Sequence, residues 1–143
     1  MIVVDASVAA KWILPKEFSD YAKALYRAAV QTGEPIVAPP HFPAEVSNIL
    51  RQRMRRTPPL PRDDALRLLA DFAVFPVGLL APPGLHEQAL ILADDHDLPA
   101  VYDAYYVALA QMHGCELWTD DRRLLRLLAG KLPLVRPIAD YPP

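Results

Sequence analysis

One cysteine, Cys115, stands in the whole chain, which excludes an internal disulfide and any cysteine-rich zinc site. Its apolar neighbours point to a buried thiol. Long hydrophobic runs are missing too: none approaches the roughly 20 apolar residues that a membrane-spanning helix needs. The opening MIVVD lacks the basic flank and cleavage site of a signal peptide, so a cytoplasmic protein is expected. Charge of one sign is scarce. A formal net charge of −2 argues against a protein that grips nucleic acid by bulk charge, and leaves a local basic patch open. Glycine-rich phosphate loops and a Gly-x-Ser-x-Gly elbow are both absent, which removes support for nucleoside triphosphatases and serine hydrolases. The histidines His41, His86, His96 and His113 are scattered, without the i, i+4 spacing of a helical metal pair.

Proline, by contrast, is abundant, with 16 residues among 143, yet it falls between periodic segments and punctuates them. A chain of this length forms one domain with a single core, here expected over residues 1–143. Met1 to Val4 is a short β-branched apolar run, the pattern of a strand buried on both faces of a parallel sheet. Helices are expected from Ala6 to Pro15 and from Ser19 to Gln31, the second capped by Ser19 or Asp20 and striped with Ala22, Leu25, Tyr26 and Ala29. Pro35 to Ala38 reads as a strand. A helix opening near Pro43 packs Val46, Ile49, Leu50 and Met54, and another after Asp63-Asp64 turns Leu66, Leu69 and Phe72 inward. Val77 to Leu79 gives a short third strand, and Gly84 to His96 a helix with Leu85, Ala89, Leu92 and Ala93 inside.

The stretch Leu98 to Leu124 then reads as helix, turn, buried strand and helix start, with Gly114 as the stop. Leu124, Leu125, Leu127 and Leu128 make a last helix, Leu134-Val135 an edge strand, and Ala139 to Pro143 a loose tail. Strands alternating with helices indicate a three-layer α/β/α sandwich around a mostly parallel sheet.

Four acids fall where strands end or helices enter at that edge: Asp5, Glu45, Asp103 and Asp121. The C-terminal edge of a parallel sheet is where ligands bind. A first-turn carboxylate is commonly only a cap, and Asp20, Asp63, Asp64 and Asp94 are left as caps or surface charges. Carboxylates that converge at about 5 Å repel by roughly 3 kcal/mol per pair at an effective dielectric near 20. Such a cluster either takes up protons or binds a cation. Oxygen-only ligands favour a hard ion such as Mg²⁺ or Mn²⁺, which polarises a phosphodiester and lowers the pKa of a water.

Val3-Val4-Asp5-Ala6-Ser7-Val8 with Lys11-Trp12, Ala44-Glu45, Tyr102-Asp103-Ala104 with Ala108-Leu109-Ala110, and Leu117-Trp118-Thr119-Asp120-Asp121 together resemble the PIN domain. The closest likeness is to the VapC-type toxin ribonucleases of toxin–antitoxin pairs. The resemblance runs from Met1 to about Val135, with four motifs in order and in register. It implies a PIN-like fold and a metal-dependent endoribonuclease in which Asp5, Asp103 and Asp121 bind Mg²⁺ or Mn²⁺. Glu45 would complete the site or orient the attacking water, leaving 5′-phosphate and 3′-hydroxyl ends.

Thr119 matches the family's small hydroxyl residue, and the pattern Thr, any residue, Asp selects Asp121, with Asp120 either assisting or facing solvent. Ser7 fits a hydroxyl that holds a water or Asp5, or else a turn residue. Arg51, Arg53, Arg55 and Arg56, with Arg122, Arg123 and Arg126, are candidates for RNA phosphates. Tyr102, Tyr105 and Tyr106 are candidates for stacking bases, whereas Trp12 and Trp118 belong to the core. The likeness further implies a VapB-type antitoxin partner and a homodimer, with the Ala22–Ala29 stripe and the Thr57–Pro61 connector as contact surfaces.

Three other readings compete. A haloacid-dehalogenase-type phosphotransferase wants Asp-x-Asp, and Ser7 stands at the second place. A receiver domain wants an acidic pair after the first strand. A non-catalytic PIN-like module that binds RNA or protein would be favoured by loss of one of the four acids, and all four are present.

Overall fold

The computed structural model describes residues 1–128 and 130–143. Ile2–Val4 forms β1, Ala6–Ile13 α1, Ser19–Thr32 α2, Ile36–Ala38 β2, Phe42–Met54 α3 and Arg62–Phe72 α4. Val77–Leu79 forms β3, Leu85–Asp95 α5, Tyr102–His113 α6, Leu117–Thr119 β4, Arg122–Leu128 α7 and Val135–Pro137 β5. A single 3-10 turn, Ile138–Asp140, follows.

All the strand pairings are parallel, and the order across the sheet is β3-β2-β1-β4-β5. The chain therefore steps outward from β1 through β2 to β3, then crosses back to β4 on the other side of β1. Crossovers between parallel strands are right-handed, so reversing the direction of travel puts the connecting helices on the opposite face. This places α1 to α4 on one face and α5 to α7 on the other, giving three layers. The packing agrees: α1 lies against α2, α3 and α4, while α5 pairs with α6. Every residue of β2 and β4 is buried, as the unbroken apolar runs require of strands covered on both faces.

The reversal between β1 and β4 opens a crevice at their C-terminal ends, where Asp5 follows β1 and Thr119 closes β4.

Several expectations are corrected. Ser19 is no cap for α2. The N-cap position is Phe18 in a left-handed conformation, and the Ser19 hydroxyl instead accepts from the Lys16 amide and donates to the Leu14 carbonyl. Leu66 is 58% exposed, because α4 rests on the core through Ala65 and Phe72. Cys115 is half-buried. The Ala22, Leu25 and Ala29 stripe lies inside the core against α1 and the 3-10 turn, so it is no partner surface. The tail is not loose: Ala139 and Asp140 complete the 3-10 turn, and Tyr141 packs edge-on against Trp118 at 5.0 Å.

Candidate active site

Asp5 is set by the junction it occupies. It caps α1, with Oδ1 accepting from the Val8 amide at 3.1 Å, so its carboxylate is held over the first turn of that helix. Two hydroxyls fix it further. Ser7 Oγ donates to Oδ1 at 2.5 Å, and Thr119 Oγ1 donates to Oδ2. Each of these hydroxyls also accepts from the β4 exit: Ser7 from the Asp120 amide at 2.8 Å, Thr119 from the Asp121 amide at 2.9 Å. Ser7 and Thr119 thus tie the ends of β1 and β4 together across the crevice.

Asp121 caps α7, accepting through Oδ1 from the Arg123 and Leu124 amides at 2.8 and 2.9 Å. Asp103 lies in the first turn of α6 and Glu45 in the first turn of α3. Asp5, Glu45, Asp103, Asp120 and Asp121 line one cleft of about 410 Å³, together with Ser7, Lys11, Lys16 and Asn48. A second hollow of about 260 Å³, lined by Phe42, Leu69, Phe72 and Phe75, has no ionisable side chain and offers no acid–base or metal chemistry.

The carboxylates sense one another. Burial pushes the Asp5 carboxyl from 3.8 up to about 7, against the pull of its hydrogen bonds from Ser7, Thr119 and Val8, and the Asp121 charge adds to the rise. Asp103 rises to about 6, through burial first and then through the charges of Asp121 and Glu45, with Arg123 and His41 opposing. Beneath them, Tyr106 is 1% exposed and its hydroxyl has no well-formed hydrogen bond among the described residues. Burial and the Glu45, Asp5 and Asp103 charges push its phenol far above the ordinary value, so it stays neutral.

Among the described residues, no three His, Cys, Asp or Glu side chains are gathered closely enough to hold an ion directly. The donor set nonetheless fits a hard cation that keeps several of its waters: all donors are oxygens, and their mutual repulsion is of the kind a divalent ion relieves.

Asp120 differs from its neighbours. Its Oδ2 lies 2.7 Å from Lys11 Nζ, which also donates to the Glu17 carbonyl at 2.6 Å, and Lys11 is only 2% exposed. The Asp120 charge is therefore compensated within the protein. In the sequence Lys11 is legible only as part of a motif. His41 stands there as one of four scattered histidines, although it lies one helical turn before Glu45. Its Nε2 is 2.8 Å from Glu45 Oε1, but the two are poorly aligned and neither atom completes a hydrogen bond. The rings of Tyr102, Tyr105 and Tyr106 surround His41 at 5.2–6.0 Å. Burial removes Tyr106 from the base-stacking candidates, while Tyr102 is 63% exposed.

The arginines separate as well. Arg53 and Arg56 line a hollow beside the cleft, which Arg51 does not. Arg122 pairs with Glu17 at 2.9 Å, and Arg123 is near enough to Asp103 to lower its pKa.

A family model described as the PIN domain matches residues 2–129. Ribonuclease VapC3 of Pyrobaculum aerophilum is 35% identical over 142 residues, which cover 95% of this chain and 98% of that protein. Two crystal structures share the fold. VapC20 of Mycobacterium tuberculosis, described as a sarcin–ricin loop cleaving toxin, superposes with a TM-score of 0.67 at 21% identity, covering 96% of this chain and 100% of that one. PAE2754 of Pyrobaculum aerophilum gives a TM-score of 0.66 at 24% identity, covering 96% and 89%.

Proposed function

This chain belongs to the PIN-domain family, in its VapC branch, and from that premise we propose that it is a metal-dependent endoribonuclease, the toxin of a toxin–antitoxin pair. The observation that carries the reading is the convergence of Asp5, Glu45, Asp103 and Asp121 on one cleft at the topological reversal of the sheet.

Asp5, Asp103 and Asp121 are the residues that would hold Mg²⁺ or Mn²⁺, directly or through water. A bound divalent ion supplies charge to a phosphodiester and lowers the pKa of a water. The protein's own groups do the rest. Glu45 orients the attacking water and takes its proton, with His41 Nε2 2.8 Å from its carboxylate. Ser7 and Thr119 hold the Asp5 carboxylate in register with Asp121. Asp120, already paired with Lys11, positions the β4 exit and leaves ion binding to its neighbours. In-line attack by the water breaks the P–O3′ bond, the departing 3′-oxygen takes up a proton from solvent, and a 5′-phosphate and a 3′-hydroxyl remain.

Residues 1–143 form a single catalytic unit in this reading. It works in the cytoplasm on RNA, associates as a homodimer, and is held in check by a VapB-type antitoxin. No helix among the described residues is long and apolar enough to cross a membrane.

The test is cleavage of a structured RNA by the pure protein in Mg²⁺, in Mn²⁺ and in EDTA, beside an Asp5→Asn variant. Metal-dependent cutting that the variant loses supports the reading. Equal cutting by both proteins points to a contaminating nuclease and removes its support. If neither protein cuts any of several RNAs and calorimetry finds no divalent ion bound, a non-catalytic module takes its place.

A further inference from the structure

Beside the carboxylate cleft lies a hollow of about 200 Å³ lined by Lys16, Asn48, Ile49, Gln52, Arg53 and Arg56. It is continuous with the cleft, because Lys16, Asn48 and Ile49 line both. Its wall is one face of α3, where Asn48, Ile49, Gln52 and Arg53 recur at helical spacing, and the same face carries Glu45 into the cleft. Glu45 and Arg53 are thus separated by roughly 12 Å along the helix axis, at about 1.5 Å per residue.

The charges in the hollow are unusual. Among the described residues, Lys16, Arg53 and Arg56 make no ion pair, whereas Lys11 next door is paired with Asp120. Crowding of the Lys16 ammonium by surrounding atoms, and then the charges of Lys11, Arg56 and Arg53, lower its pKa, with Asp120 alone among the named charges opposing. Three cations held together with no ion-pair partner among the described residues are a site for an anion that arrives from outside.

We propose that Lys16, Arg53 and Arg56, with the Asn48 amide, form a phosphate-binding subsite for the RNA backbone flanking the bond to be cut. The inference rests on the ribonuclease reading. The subsite gives the strand a direction across the protein, from the carboxylates along α3, and holds it where the net negative cleft alone would repel it. Lys16 is its pivot, since it faces both compartments.

The test is fluorescence anisotropy of a labelled single-stranded RNA in EDTA, over a salt series, with strand integrity checked on a gel. Arg53→Gln with Arg56→Gln, and separately Lys16→Gln, should each weaken binding at least tenfold at low salt. The slope of log affinity against log salt should fall by about 0.7 for each phosphate that is no longer neutralised. Arg53→Lys with Arg56→Lys should keep the slope. A charge-matched control, Lys23→Gln with Arg27→Gln on the exposed face of α2, should stay within twofold of the wild type, and circular dichroism confirms that all variants fold. An equal loss in the control, or an unchanged slope in the Arg53 and Arg56 variant, overturns the subsite while wild-type cleavage leaves the ribonuclease reading standing. Absence of RNA binding and cleavage in the wild type overturns both.

Discussion

Replacing Asp5 by Asn should remove the activity and yet stabilise the metal-free protein. The Asp5 carboxyl is 6% exposed, and its pKa rises from 3.8 to about 7 on folding. At roughly 1.4 kcal/mol per tenfold, keeping it ionised above pH 7 costs the folded state up to about 4 kcal/mol. Asn fills the same volume without charge. Its carbonyl still accepts from Val8 and Ser7, but its amide cannot accept from Thr119, a loss of about 1 kcal/mol. The net gain is up to about 3 kcal/mol at pH 8, which is roughly 10 °C in Tm for a chain of this size.

The sign follows from linkage. A carboxyl whose pKa is higher in the folded than in the unfolded state takes up a proton on folding, so its stability contribution is fully present below about pH 4 and is lost as the pH rises through about 7. The advantage of the variant should therefore appear between pH 4 and pH 7, level off above that, and vanish or reverse in acid. The assay is thermal unfolding of both proteins in EDTA from pH 4 to pH 8. An Asn variant less stable than the wild type at pH 8 would refute the claim that burial outweighs the hydrogen bonds at this carboxylate.

Mg²⁺ or Mn²⁺ should raise Tm more at pH 8 than at pH 5, because Asp5 at about 7 and Asp103 at about 6 must shed protons before they can ligate an ion. Equal shifts at the two pH values would show that these carboxyls are not the ligands. Lys11→Met should cost about 2–3 kcal/mol in urea unfolding. It strands the Asp120 charge, though Asp120's 25% side-chain exposure keeps the loss below that of a fully buried pair. A loss under about 0.5 kcal/mol would mean the pair is dispensable. Leu66→Gln, at a 58% exposed position, should change stability by less than about 0.5 kcal/mol, and a larger cost would mean that α4 buries this face.

Much of the fold was legible because periodicity and burial coincide along most of the chain. Leu85, Ala89, Leu92 and Ala93 recur at helical spacing and are buried as a set. The all-apolar strands β2 and β4 are fully covered. The failures are local. Leu66 shares the period of its helix but not its buried arc, since α4 touches the core over a narrow front. Ser19 has the chemistry of a cap, but its hydroxyl is already engaged with the preceding turn. Ile138 lies in a proline-flanked segment with no period to read, and it is buried because the tail after β5 folds back toward α2.

Local pattern along the chain was enough to say on which elements the candidate acids sit, because strand ends, helix starts and acid spacing are local properties. That pattern placed Asp5 after the first strand, Glu45 and Asp103 in first turns, and Asp121 beyond the last buried strand. What each charge faces was set by tertiary folding alone. Thr119 reaches Asp5 across 114 positions of sequence, Lys11 neutralises Asp120, and Lys16 meets Arg53 and Arg56 over the face of α3. Electrostatics depends on distance through space and on exclusion of water, and neither is fixed until the sheet reverses its order between β1 and β4.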